Sequence, residues 1–154
     1  MKTDIESRRL LLVEDDPAMR DLMSEVLRDA GYAVDAAENG ARALVEVFRD
    51  AGLDGYDLVL SDVRMPGMDG LELAWVLRDL DGPPIVLVSA FATPQLRQEA
   101  RDAGVLALVS KPFDSERLVD LIRTLCAAPI DGAGLGPDAA CSGIDTPMLH
   151  EPPR

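Results

Sequence analysis

The feature of this chain that most constrains its fold is a strict alternation of short apolar runs with longer amphipathic segments. The runs at 10–13 and 85–88 contain only apolar residues. Strands of this kind are buried on both faces, and strands that alternate with helices are joined by right-handed crossovers in a parallel sheet. The sequence therefore predicts an α/β fold, a three-layer sandwich around a five-stranded parallel sheet.

The amphipathic segments carry helix signals at both ends. Asp16-Pro17 is typical of an N-cap followed by proline in the first turn, and Gly31 is typical of a helix end. The predicted helices begin near Asp16, Gly40, Asp69, Thr93 and Asp114, and the predicted strands are 9–14, 32–36, 56–61, 84–88 and 105–109.

The second and fourth helices differ in the apolar surface that they offer to the sheet. The residues expected to face inward are Leu44, Val47 and Phe48 in the second helix and Leu96, Ala100 and Ala103 in the fourth. Charged residues surround the small stripe of the fourth helix. We therefore expect it to be the least anchored helix and a candidate moving element.

The composition changes near Pro129, which divides the chain of 154 residues into two parts. After this point Pro, Gly, Ala, Asp and Ser dominate, and the hydrophobic residues are isolated. We predict one domain at 8–128 and a disordered C-terminal tail at 129–154. His150, the only histidine, lies in this tail, which argues against a catalytic or ligand role.

Charge and hydropathy exclude several classes of partner. The formal net charge of −13 would repel nucleic acid phosphates. No apolar stretch is long enough to cross a bilayer, and the N-terminus lacks the hydrophobic segment of a secretory signal. Cys126 and Cys141 offer no disulfide framework. We expect a cytoplasmic protein with no direct contact to nucleic acid or membrane.

Polar side chains occur where the predicted strands end. They are Glu14 and Asp15 after the first strand, Asp62 after the third, Ser89 after the fourth and Lys111 after the fifth. In an open parallel sheet these ends form one rim, which is where reactive groups gather. Converging carboxylates must take up protons or share a cation, and their hard oxygen atoms favour Mg²⁺ over zinc.

This combination of groups suits phosphoryl transfer. With a divalent ion in place, Asp62 could attack a phosphorus atom while Lys111 neutralises the phosphoryl oxygens and Ser89 donates a hydrogen bond. Each residue also has a local explanation, as a solvated turn, a loop hydroxyl, a helix cap or an extended connection before proline. Their occurrence together at matching strand ends favours the chemical interpretation.

Four motifs, in order and at the expected strand ends, resemble the receiver domain of two-component response regulators. They are LVEDD at 12–16, LSDVRMPGMDG at 60–70, VSA at 88–90 and SKPF at 110–113. The resemblance covers roughly 8–128 and implies a flavodoxin-like fold with strand order 2-1-3-4-5. It also implies that Asp62 is the phosphoacceptor.

The same resemblance assigns the other site residues. Glu14 and Asp15 would hold Mg²⁺ together with Asp62 and the backbone carbonyl of Arg64. The residues expected to act on the phosphoryl group are Ser89, which turns toward it, and Lys111, whose peptide bond to Pro112 family members hold cis. Arg64 and Phe91 flank the route by which water would reach an acyl phosphate, at positions that tune its lifetime in the family, although both could equally be solvent-facing loop residues.

Two positions depart from common family patterns. Leu108 stands where members often place an aromatic residue that moves with the hydroxyl residue, so an aromatic readout is not supported. Leu121 stands where one large transcription-factor subfamily carries an arginine that pairs across a dimer, so that dimer is not supported either.

By resemblance, the phosphoryl source is a phosphohistidine on a sensor histidine kinase or a histidine phosphotransfer protein. The main hypothesis is a stand-alone receiver that changes its affinity for an unidentified downstream protein, and that catalyses only its own phosphorylation and dephosphorylation. A phosphorelay intermediate or phosphate sink is the first alternative.

Two further alternatives belong to other classes. A phosphohydrolase of the haloacid dehalogenase type would need a second Asp two residues after the nucleophile, where this chain has Arg64. A pure interaction module with a decayed site is disfavoured because the acidic pair, Asp62, Ser89 and Lys111 are all present.

Overall fold

The computed structural model describes residues 8–49 and 55–127 and the backbone of Ile144–Asp145. Strands and helices alternate along the chain, as the apolar runs predict. The strands are β1 Arg9–Val13, β2 Ala33–Ala37, β3 Leu58–Asp62, β4 Ile85–Ser89, β5 Ala107–Ser110 and β6 Ile144–Asp145. The helices are α1 Pro17–Asp29, α2 Gly40–Arg49, α3 Gly70–Asp79, α4 Pro94–Asp102 and α5 Ser115–Ala127.

The strand order is β2-β1-β3-β4-β5-β6, and the first five strands pair in parallel. The predicted five-stranded parallel sheet with order 2-1-3-4-5 is therefore confirmed. The order reverses between β1 and β3, where Val13 lies beside Ser61. Because the carboxyl ends of both strands meet at this point, the topology itself brings Glu14, Asp15 and Asp62 together.

The strand β6 is an addition that the sequence analysis did not predict. Its backbone pairs antiparallel with Leu108 and Val109 of β5. The rest of the predicted disordered tail, including Cys141 and His150, lies outside the described residues, so its disorder stays a prediction.

The core has two layers because successive residues of a strand face opposite sides of the sheet. In β1, Leu11 and Val13 pack with α2, α3 and α4, and Leu10 and Leu12 pack with α1 and α5. All four side chains are at most 1 % exposed. Each buried leucine contributes about 2 kcal/mol by leaving water. The central strands therefore hold the rim rigidly.

The helix ends follow their sequence signals. Asp16 caps α1 by accepting a hydrogen bond from the Ala18 N–H, and Asp69 caps α3 through the Glu72 N–H. Strand bounds differ from the predicted ones by one or two residues at several ends, as in β2 and β5. Among the described residues, no helix is both long and apolar enough to span a membrane.

The prediction that Phe48 faces the sheet is wrong, since its side chain is 54 % exposed. The buried stripe of α2 consists of Gly40, Ala43 and Val47, with Leu44 partly buried beside it. Phe48 lies one residue beyond Val47, and the rotation of about 100° per residue carries it to the outer side of the helix. In α4 the prediction is confirmed: Ala100 and Ala103 are buried and Leu96 packs partly against the core.

Candidate functional site

Three carboxylates meet at the carboxyl ends of β1 and β3. One oxygen from each of Glu14, Asp15 and Asp62 lies within 4.8 Å of the other two. Glu14 is buried, Asp62 is partly buried and Asp15 is exposed, so the cluster opens to solvent on one side. The spacing and the hard oxygen donors fit a divalent ion with an open coordination position, as Mg²⁺ requires for a phosphoryl ligand.

The backbone fixes Glu14 in this unfavourable position. Its N–H donates to the carbonyl of Ala37 at 3.0 Å, which extends the pairing of β1 with β2. Its carbonyl accepts a hydrogen bond from Nη1 of Arg20 at 2.9 Å. Arg20, which lies in α1 four residues beyond the N-cap Asp16, could not be identified as a site residue from the sequence. No motif marks it, because its partner is a backbone atom.

The electrostatics of the cluster favour cation binding. The pKa of Glu14 is raised to about 7, first by burial and then by the hydrogen bond with Asp62 and the negative charges of Asp62 and Asp15, while Lys111 acts in the opposite direction. A carboxyl that holds a proton near neutrality shows that the cluster carries more negative charge than its surroundings compensate. A divalent ion would displace that proton and compensate the charge.

Lys111 supplies the positive charge at the site. Its Nζ lies 3.2 Å from Oδ2 of Asp62, and the side chains of the pair are 23 % and 13 % exposed. The Lys111 N–H donates to the carbonyl of Ser89 at 2.8 Å, which ties the end of β5 to the end of β4. The peptide bond between Lys111 and Pro112 is cis, as predicted.

Ser89 lies at the end of β4, and it is buried. Asp62 pairs with Val88 in the sheet, so Ser89 is one residue further along the neighbouring strand. The Ser89 Oγ accepts a hydrogen bond from the Phe91 N–H at 3.0 Å. The predicted hydroxyl is therefore at the rim and is linked to the loop that leads into α4.

The loop between β3 and α3 passes close to the backbone of Asp62. A Cβ atom on Gly70 would lie 2.2 Å from the Asp62 carbonyl oxygen, so only glycine fits at this position. The Gly70 N–H donates to the carbonyl of Val63 at 2.8 Å, and Ser61 Oγ donates to the Asp62 carbonyl at 2.8 Å. Gly70 thus positions the backbone of Asp62. In the sequence it ends the motif at 60–70, where no role could be assigned to it.

Arg64 and Phe91 contact each other at the mouth of the site. The Arg64 guanidinium carbon lies 5.5 Å from the centre of the Phe91 ring, within the range of a cation–π interaction. Phe91 is 63 % exposed, so the pair spans two loops on the solvent side. Arg64 also lines, with Asp15, a cleft that separates the β3–α3 loop from α4.

A partly buried acidic cluster and an adjacent lysine at the topological switch point of a five-stranded parallel sheet define a phosphoryl-accepting signalling module. Residues 10–123 match the response regulator receiver domain family. The chain belongs to this family, and it is a receiver domain of two-component signalling, which works through phosphorylation. Its family does not support the dehalogenase-type hydrolase.

The chain is similar in sequence to known proteins. It is 38% identical over 122 residues to the probable transcriptional regulator ycf29 of Porphyra purpurea, covering 77% of this chain and 56% of that protein. It is 36% identical over 116 residues to the transcriptional regulatory protein PdtaR of Mycobacterium tuberculosis, covering 75% and 55%. The chain thus spans about half the length of these curated relatives.

Other relatives match along nearly their whole length. Sporulation initiation phosphotransferase F of Bacillus subtilis is 31% identical over 118 residues, covering 76% of this chain and 92% of that protein. The chemotaxis protein CheY4 of Vibrio cholerae has a TM-score of 0.70 at 30% identity, covering 77% and 98%. The response regulator TrrA of Thermotoga maritima, solved with Mg²⁺ and BeF, has a TM-score of 0.67 at 34% identity, covering 77% and 98%.

Proposed function

We propose that Asp62 accepts a phosphoryl group, in a reaction that requires Mg²⁺, from a phosphohistidine on a sensor histidine kinase or a histidine phosphotransfer protein. The observation that carries this proposal is the grouping of Asp62 with Glu14, Asp15 and Lys111 in one partly buried site. A cytoplasmic location and a downstream protein partner are parts of the same proposal.

In the proposed reaction, a carboxylate oxygen of Asp62 attacks the phosphorus atom. A P–O bond forms, the P–N bond of the phosphohistidine breaks, and the leaving imidazole nitrogen keeps the electron pair and takes a proton from solvent. Lys111, already paired with Oδ2 of Asp62, neutralises charge on the phosphoryl oxygens, and the Ser89 hydroxyl donates a hydrogen bond to one of them. Bound Mg²⁺, held by the three carboxylates and the Arg64 carbonyl, would supply further charge compensation.

Arg64 and Phe91 are proposed to cover the phosphoryl group. Their contact across the mouth favours this role over that of two independent loop residues. Phe91 restricts the approach of water, and Arg64 offers a positive charge to an anionic donor. Replacing Phe91 with Ala should shorten the lifetime of the phosphorylated protein, measured as the decay of the added mass after the donor is removed.

Phosphorylation is proposed to change the affinity for a protein partner through the surface of α4, β5 and α5. A second candidate is a phosphorelay intermediate, because the chain matches 92% of the length of a sporulation phosphotransferase. Partner binding that is equal with and without phosphate, combined with rapid transfer of the phosphoryl group to a phosphotransfer protein, would favour the relay.

The central experiment is incubation with acetyl phosphate and Mg²⁺ followed by intact-mass measurement. We expect one added phosphoryl group on the wild type and none on Asp62→Asn. Asp57→Asn is the matched control, because Asp57 flanks the other end of β3 and binds Arg9 through its carboxylate. A wild type without the adduct, or an equal adduct on Asp62→Asn, would contradict the proposal.

A further inference from the structure

The two outer strands of the parallel sheet, β2 and β5, differ in how their edges are protected. A free strand edge offers unpaired N–H and carbonyl groups to other chains, and charged side chains on the strand discourage such pairing. The strand β2 carries Asp35, whose carboxylate binds Arg9. The strand β5 has the sequence Ala-Leu-Val-Ser and carries no charge. The edge of β5 therefore needs another form of protection.

The backbone of β6 supplies this protection. It pairs antiparallel with β5, with Ile144 opposite Val109 and Asp145 opposite Leu108. The pairing occupies the outer side of β5, because the inner side pairs with β4. In an antiparallel pair each strand provides hydrogen-bond partners for the other. The strand β6 thus removes free backbone groups from the edge of the sheet.

The sequence around β6 differs from the rest of the predicted tail. Residues 129–154 contain three β-branched residues, and two of them are Ile144 and Thr146. β-branched residues favour extended backbone, and the proline at position 147 has no N–H with which to continue a ladder. The sequence therefore favours a short strand at this place and limits its length.

The connection to α5 makes the pairing intramolecular. Sixteen residues, 128–143, join the end of α5 to β6. Linkers of this length typically give an effective concentration in the millimolar range. A pairing that is too weak to persist between separate molecules is populated under these conditions, and a competing strand can still displace it.

The edge that β6 covers lies between α4 and α5. On one face of the sheet Leu108 belongs to the same core layer as Ala100 of α4, and on the other face Val109 belongs to that of Leu118 of α5. This is the surface proposed above for a protein partner. An extended segment of another chain that adds to the sheet here needs the same backbone groups that β6 uses. The two strands therefore exclude each other.

We propose that Ile144–Asp145 is a tethered strand that covers the edge of β5, and that an extended segment of another chain pairs with β5 only when this strand is displaced. The edge is then a docking site for extended backbone that the chain itself occupies. The pairing is present in the unmodified chain, so it does not depend on phosphorylation of Asp62. Its test needs no phosphodonor, and its failure would leave the proposed function standing.

Paramagnetic broadening of NMR signals tests the pairing in the full chain. The native Cys141 precedes Ile144 by three residues, which span at most about 11 Å of chain. A nitroxide is attached to it in the background Cys126→Ser. We expect the label to weaken the amide signals of Leu108 and Val109 strongly. The amides of β2 should lose much less signal, since β2 lies four strands from β5, about 19 Å away.

Two variants separate strand pairing from the proximity that the tether alone creates. Ile144→Pro/Asp145→Pro removes both N–H groups of β6, and it should lose most of the broadening at β5. Ile144→Val/Asp145→Asn keeps both N–H groups and should retain the broadening. Equal broadening in all three chains, or none in the wild type, would overturn the proposal.

Competition for the edge is tested with a separate strand. The probe is a synthetic peptide of residues 139–149 with a nitroxide on its cysteine, added at millimolar concentration to full chains in which both cysteines are serine. We expect it to broaden the β5 amides of the double-proline variant more than those of the chain with Ile144 and Asp145. Equal broadening would show that the tail does not cover the edge. No broadening in the double-proline variant would show that the edge does not accept an extended segment, and either result would overturn the proposal.

Discussion

The two ends of the central strands carry charge clusters that are organised in opposite ways. At the carboxyl ends Glu14, Asp15 and Asp62 repel one another and Lys111 pairs with one of them. Toward the amino ends, the carboxylate of Asp35 in the middle of β2 accepts hydrogen bonds from Arg9, the first residue of β1, at 2.8 Å and from the hydroxyl of Tyr56, which precedes β3, at 2.7 Å. Arg9 also lies 4.7 Å from the centre of the Tyr56 ring.

The pKa values express this contrast. The pKa of Glu14 is raised to about 7, by burial first and then by its acidic neighbours. Burial also acts to raise the pKa of Asp35, but the hydrogen bonds from Tyr56 and Arg9 outweigh it and hold the pKa below its usual value. One cluster therefore stores unfavourable charge that a ligand can relieve, and the other stabilises the fold by itself. Only the first has the character of a binding site.

The largest expected difference between the clusters is in metal binding. Glu14→Gln removes one of the three proposed carboxylate ligands, and it should lower Mg²⁺ affinity at least about tenfold. The metal-free protein should become more stable above pH 7, because a neutral amide relieves the repulsion from Asp62. Isothermal titration with Mg²⁺ and urea denaturation measure the two effects. Asp35→Asn is the control at the amino end, and it should not change Mg²⁺ affinity. Equal losses of Mg²⁺ affinity in both variants would contradict the assignment of the metal site to the carboxyl-end cluster.

Most of the acidic site could be predicted from the sequence, because strand ends can be located from apolar runs and the parallel topology brings those ends together. Glu14, Asp62 and Lys111 need no other information. The amino-end cluster could not be predicted in this way, since Asp35 lies in the middle of β2 and Tyr56 lies before β3, and the two meet only through the sheet register. The wrong orientation of Phe48 has a similar cause, because helical spacing does not fix the rotation of a helix to within one residue.

A smaller effect, on the free energy of unfolding, is expected when the buried tyrosines Tyr56 and Tyr32 are replaced by phenylalanine. Tyr56→Phe removes the hydroxyl that donates to Asp35, and it should lower the free energy of unfolding by about 1.5 kcal/mol, as for other hydrogen bonds to charged groups. Tyr32 provides a matched control, because its hydroxyl is buried and has no hydrogen-bond partner in the described part of the chain. Tyr32→Phe should change stability by less than about 0.5 kcal/mol.

Urea denaturation of both variants at neutral pH tests this prediction. If Tyr32→Phe costs as much as Tyr56→Phe, the hydrogen bond to Asp35 is not the source of the stability. The stability of the amino-end cluster would then have to come from the ion pair between Arg9 and Asp35 alone.

The smallest effect is the pH dependence that Asp35 confers. A carboxyl whose pKa is lower in the folded than in the unfolded chain stabilises the fold above its unfolded pKa, about 4, and this stabilisation is lost as pH falls through the folded pKa. The wild type should therefore exceed Asp35→Asn in unfolding free energy at neutral pH, and the two should converge below about pH 4. The gap should be modest because the Asp35 side chain is 46 % exposed.

Glu14 affects stability with the opposite sign: its raised pKa makes the metal-free protein lose stability as pH rises from about 4.5 toward 7. Urea denaturation of the wild type, Asp35→Asn and Glu14→Gln across this pH range therefore separates the two clusters by the direction in which the unfolding free energy changes with pH. If the difference in unfolding free energy between the wild type and Asp35→Asn persists unchanged to low pH, the charge of Asp35 is not what stabilises the amino end.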